Sequence, residues 1–183
     1  MKILKRTRLA LFVGLNSIAL VSCTSSGSVA PQPPDLSGTW ILNSAESEDP
    51  REQFENRRQP GDRQPRVIFA PTISAAIAAS RVFKIEQADT TLTLSSAEGP
   101  VFTFFPDGRE VVRPISGLGE VRTVSRWKGE RLVVERRLDG GATINTTYQL
   151  TDKGKRLQVS TKIGGIGRSI KFRRLYDAAP LPP

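Results

Sequence analysis

The sequence predicts an all-β domain, an antiparallel up-and-down meander closed into a barrel of about 8–10 strands. Three observations predict it. From Arg81 onward apolar residues recur at every second position, the period of a strand with one buried face. Turn residues, mainly Gly and Asp, punctuate that pattern about every ten positions. No helical segment separates these strands, so consecutive strands must pair as hairpins.

The chain has 183 residues and a formal net charge of +9, from 27 Lys+Arg against 18 Asp+Glu. Met1 to Ser22 reads as a signal peptide (1–22), with basic residues first and then an apolar run from Leu9 to about Val21. Asn16 and Ser17 interrupt the run, which is too short for a membrane span. Leu20-Val21-Ser22-Cys23 resembles the lipobox of bacterial lipoproteins, and Cys23 is the only cysteine. That resemblance implies lipid attachment at Cys23 and a membrane anchor. With Thr24 next, it implies an address in the cell envelope, on the outer membrane facing the periplasm. Residues 23–35 are rich in Ser, Gly and Pro and are expected to form a tether.

The barrel domain is expected over 36–177, opening on Leu36-Ser37-Gly38-Thr39-Trp40-Ile41-Leu42-Asn43. Gly38 lets the backbone turn or approach where a side chain would block it. Trp40 supplies a large apolar plug with one indole donor. This opening resembles the Gly-x-Trp start of lipocalin-like (calycin-type) proteins, and more closely that of small bacterial lipocalin-like lipoproteins of unassigned function. The resemblance implies a lipocalin-like barrel in which a basic residue of the last strand packs across the Trp. Arg174 is the expected partner, with Arg173 the alternative under a shifted register.

One or two short helices are expected in the insertion 46–80. Asp49-Pro50-Arg51-Glu52 has an N-cap acid and Pro at the first helical position, which suits a helix from Pro50 to about Arg58. Ile73 to Ala79 is an Ala/Ile run that Thr72 or Ser74 can cap. Between the two lie Arg57, Arg58, Arg63 and Arg66, with Arg51 before them. Segment 51–66 is either a solvated loop or a surface for an anionic partner.

Phe83 and Ile85, then Leu92 and Leu94, then Val101 to Phe105 mark successive strands. Pro106-Asp107-Gly108 is a strong turn signal, followed by a short strand from Glu110 to Pro114. The later strands turn at Lys128-Gly129, Asp139-Gly140-Gly141, Asp152-Lys153-Gly154 and Gly164-Gly165. Asp177 begins a frayed tail, taken as 178–183. The outward positions are Lys, Arg, Gln, Asn and Thr, which excludes a transmembrane barrel.

The chain contains no histidine, and its one cysteine is Cys23, the expected lipid-attachment residue. A His general base, a His or Cys metal site, a Cys nucleophile and an internal disulfide are thereby excluded. No catalytic motif is present, Asp107, Asp139 and Asp152 occupy turn positions, and neither enzyme activity, metal nor cofactor is implied. The basic charge comes without a nucleic-acid-binding motif, so no nucleic acid is expected.

The inner parity is not wholly apolar. It carries Thr123, Ser125, Arg136, Thr146, Tyr148, Thr161, Arg174 and Tyr176. Inward arginine must be paired or wet, and a guanidinium beside a tyrosine can hold an anionic head. Arg174-Leu175-Tyr176 resembles the Arg-x-Tyr that holds the carboxylate in fatty-acid-binding proteins. Trp127, Arg136, Tyr148, Arg174 and Tyr176 are therefore the candidate lining of a pocket for a small apolar or amphiphilic molecule. The rival expectation is a plugged barrel serving as a scaffold, contacting an anionic envelope partner through 51–66.

Overall fold

The computed structural model describes residues 32–50, 52, 81–97, 101–115, 119–165 and 169–180. Its ten strands are β1 (Gly38–Leu42), β2 (Val82–Gln87), β3 (Leu92–Ser95), β4 (Phe102–Phe104), β5 (Asp107–Ile115), β6 (Gly119–Lys128), β7 (Arg131–Leu138), β8 (Thr143–Thr151), β9 (Arg156–Gly164) and β10 (Ile170–Ala178). They form one sheet in the order β4-β3-β2-β1-β10-β9-β8-β7-β6-β5, and all its ladders are antiparallel. The signal segment 1–22, Cys23, the tether up to residue 31 and residues 181–183 lie outside the described residues. So does the insertion that carries the expected helices, apart from 46–50 and 52.

The expectation of a closed barrel is corrected. The sheet curls but stays open, because β4 and β5 are its two edges and no ladder joins them among the described residues. The reason lies at Pro106-Asp107-Gly108, which does not turn a hairpin. Asp107 and Gly108 belong to β5, and the register against β6 shifts between Asp107 and Glu110. The Asp107 carboxylate accepts hydrogen bonds from the Arg109 backbone N–H at 3.0 Å and from Arg109 Nε at 2.8 Å. Such a bulge bends a strand and locally disrupts its pairing. Pro106 has no N–H to offer a ladder.

The curl brings the early strands over the late ones. The Phe104 ring of β4 lies 6.5 Å from the Tyr148 ring of β8, although six ladders separate those strands in the sheet order. Alternation along each strand sorts residues into an inner and an outer face. In β9, Leu157, Val159, Thr161 and Ile163 are buried, while their neighbours are half-buried or exposed. Two apolar clusters occupy the inner face. One gathers Leu36, Trp40, Phe83, Ile85, Leu92, Phe104, Leu132 and Tyr176, among others. The second holds Val121, Leu138, Ile144, Ile163, Ile170 and Phe172, with Ala142.

The first cluster is sealed by the residues that open the domain. Trp40 is buried and its indole Nε1 donates to the Leu36 carbonyl at 3.1 Å. Leu36 is itself fully buried, held by a clamp from Gln87. The Gln87 side chain accepts from the Leu36 N–H and donates to the Pro34 carbonyl, each at 3.1 Å. Residues 34–37 thus form a strap tied to the end of β2. Beyond β1 the chain continues along β10, with Asn43 N–H donating to the Leu175 carbonyl and Glu48 N–H to the Arg173 carbonyl, both at 2.9 Å. Arg156 pairs with both Glu46 (3.0 Å) and Asp177 (3.1 Å) across this join.

Candidate functional site

Every strand carboxylate (Glu86, Asp107, Glu110, Glu120, Glu135 and Asp177) has outer-face parity, while Arg136 and Arg174 have inner-face parity and are withdrawn from solvent; Arg113, opposite Val121, shares that parity but is exposed on the edge strand. This asymmetry defines the candidate site. The register arranges it in rows across the sheet. Trp127, Leu132, Tyr148, Val159 and Arg174 are successive partners across β6 to β10. The next row is Ser125, Val134, Thr146, Thr161 and Phe172, and the one after it Thr123, Arg136, Ile144, Ile163 and Ile170. Tyr176 lies one row to the other side, opposite Leu157.

All five candidate lining residues therefore have inner-face parity. Tyr148, Arg174 and Tyr176 are buried, and Trp127 and Arg136 are half-buried. Trp127 packs against the first apolar cluster. The structure brings the four polar members together as two Arg–Tyr pairs. Burial pushes the Tyr148 phenol above its ordinary value, and the adjacent Arg136 guanidinium opposes that shift. Burial likewise raises Tyr176, opposed by the charge of Arg174. Each trend has the expected sign, since a buried phenol resists ionisation and a nearby cation favours it. The buried Tyr176 hydroxyl has no hydrogen-bond partner among the described residues, so Arg174 acts on it through its charge.

Arg136 stands over two aromatic rings of the edge strand. Its guanidinium carbon is 5.2 Å from the Phe102 centroid and 5.4 Å from the Phe104 centroid. The two rings are parallel, with centroids 6.4 Å apart. These phenylalanines and the Leu36–Gln87 strap were not singled out by sequence reasoning. The parity of Phe102 and Phe104 within an aromatic strand was the available signal for the first pair. No local pattern announces that Gln87 clamps a segment fifty residues earlier.

The residues expected at the barrel opening take up the following places. Gly38 enters β1 with φ +144°, a backbone favouring glycine, and a Cβ there would meet only the Trp40 ring at 3.8 Å. Glycine is thus needed for conformation rather than for room. Trp40 pairs with Phe83 on β2 and with Ala178 on β10. Arg174 lies four residues before Ala178, opposite Val159, and its guanidinium stands 5.5 Å from the Phe172 ring. Apart from Glu52, the Arg-rich segment 51–66 lies outside the described residues.

Chemically, the arrangement can bind but offers no catalytic base of the histidine type. Among the described residues no group of acidic or sulfur side chains could hold a metal ion.

No family model and no curated protein sequence matches the chain. Solved structures share its fold. The REP1-NXSQ fatty acid transporter superposes with a TM-score of 0.53 at 17% identity, over 81% of this chain and 98% of that one. Lipid binding protein 8 of Caenorhabditis elegans, in its apo form, gives 0.53 at 14% identity, over 78% and 94%. Secretory abundant heat soluble protein 4 from Ramazzottius varieornatus gives 0.51 at 15% identity, again over 78% and 94%. Likeness at these identities establishes the lipocalin-like fold. None of the three is described as an enzyme.

These relatives in fold also correct the localisation drawn from the leader. They are named as a transporter, a lipid-binding protein and a secretory protein, not as outer-membrane lipoproteins. No helix among the described residues is long and apolar enough to cross a membrane. The lipoprotein, outer-membrane and periplasmic assignments are withdrawn against the names of those relatives.

Proposed function

We propose that the protein binds a small amphiphilic molecule, with an anionic head and an apolar body, inside the curled sheet. The observation that carries this reading is Arg136. It is a half-buried cation with inner-face parity and makes no ion pair among the described residues. Two Phe rings compensate part of its desolvation by cation–π attraction. A carboxylate accepting two N–H bonds from the guanidinium would compensate more. Tyr148 lies beside Arg136 and Tyr176 beside Arg174, and Trp127 shares the row of Tyr148 and Arg174. The two apolar clusters provide surface for the body of the ligand. Fold relatives named as a fatty acid transporter and a lipid binding protein support the ligand class.

The test is a fluorescence titration with palmitic acid and with its methyl ester. Palmitate should quench the tryptophan emission. Replacing Arg136→Met removes a charge-assisted hydrogen bond while keeping an apolar stem of similar reach. It should weaken palmitate binding by about ten-fold or more and leave the ester within about two-fold. Equal losses for acid and ester, or no binding of palmitate to the unaltered protein, would overturn the reading.

A further inference from the structure

The row between the two arginine rows is lined by hydroxyls. Ser125, Thr146 and Thr161 share it, with relative exposures of 2%, 5% and 7%. Thr146 and Thr161 are direct cross-strand partners. None of the three side chains makes a hydrogen bond among the described residues. The Tyr176 hydroxyl, fully buried on the same face two rows away, is also without a partner. Buried hydroxyls ordinarily find partners in the protein or in ordered water, and an unpaired one costs free energy. Of the four, only the Tyr176 oxygen is fully enclosed; the Ser125, Thr146 and Thr161 oxygens still open onto the inner face, where a polar group of a ligand can reach them. Valine or isoleucine would suit this β-sheet interior equally well by propensity and would carry no such cost.

We infer that the ligand carries a hydroxyl on its body as well as an anionic head, and that Ser125, Thr146 and Thr161 receive that hydroxyl. The inference rests on the proposed amphiphile site and deepens it. Same-face positions along a strand are about 7 Å apart, so the hydroxyl row is one such step from the row of Arg174 and one from the row of Arg136. A head held at either guanidinium then places a hydroxyl of the nearer half of an acyl chain at this row. A hydroxyl group is both donor and acceptor, as are Ser and Thr, so the pairing is satisfied in either direction. A plain acyl chain would bury these groups unpaired, and the site should reject it for that reason.

The experiment compares stearic acid with hydroxystearic acids bearing their hydroxyl at the third, seventh or twelfth carbon, by fluorescence titration and by calorimetry. At least one hydroxy acid should bind about ten-fold tighter than stearic acid. The seventh-carbon isomer is expected to lead. Thr146→Val combined with Thr161→Val removes two hydroxyls with little change of shape, and should bring that preference to parity. A thermal melt of the variant shows whether it is folded. The comparison of acids on the unaltered protein needs no variant at all. If stearic acid binds as well as every hydroxy isomer, the hydroxyl inference falls while the amphiphile site stands. If no acid binds, the amphiphile site falls first and takes the inference with it.

Discussion

Tyr148 and Tyr176 are the only tyrosines in the chain, so their ionisation can be followed by phenolate absorbance without interference. Burial raises both above the ordinary value of 10.0. Below that value the phenols are protonated in folded and unfolded states alike, and their contribution to stability is fully present. Above it the unfolded chain releases its protons first, so stability is lost as pH rises from about 10 through the folded-state values. Native protein should therefore show little phenolate at a pH where urea-unfolded protein is half titrated, and its urea midpoint should fall over that window. Superimposable native and unfolded titrations would mean that the two rings are not buried. The inner parity of these residues was legible because period two admits only two faces, and the turns fix where each strand starts. The pairing of Arg136 with Phe102 and Phe104 was not. It depends on how far the sheet curls, a property of the whole wall rather than of any one strand.

At the scale of elements, the two edge strands, β4 and β5, differ from the middle of the sheet. β4 has three residues, and β5 is exposed along much of its length, with Val112 46% exposed. Arg109, Glu110, Arg113 and Pro114 stud β5, and charged residues, Pro and bulges are the usual means by which an edge avoids pairing with another chain. β8 and β9 have partners on both sides. Amide hydrogen exchange should be at least about a hundred-fold faster in β4 and on the free side of β5 than in the centre of β8 and β9. Uniform protection across the sheet would indicate that β4 and β5 do pair in solution. The strands themselves could be read from alternation and from Gly-bearing turns. Pro106-Asp107-Gly108 misled because the residues that suit a hairpin turn also suit a bulge, and the choice depends on whether the next strand has a free partner.

For the molecule as a whole, charge and topology are the governing terms. The outer face sets like charges directly opposite one another at Arg122 and Arg137, Lys128 and Arg131, and Lys162 and Lys171. Arg137 finds Glu135 at 2.7 Å, whereas Lys162 and Lys171 make no ion pair among the described residues. Lys171→Glu should then stabilise the fold by about 0.3–1 kcal/mol. Added salt should raise the melting temperature of the unaltered protein more than that of the variant. A destabilised variant would show that the two lysines are already compensated. The order of the meander was legible because each strand from β5 to β10 follows its neighbour after a short connection. The gap between the edges was not, since closure is decided by two strands that share no sequence signal. One ladder stands apart in kinetic terms. Trp40 meets Ala178 across β1 and β10, so completing the sheet requires closing a loop of nearly the whole domain, at an entropic cost no hairpin of the meander bears. During synthesis β1 and its strap can dock on β2 early, but the other edge of β1 stays open until the last strand is made.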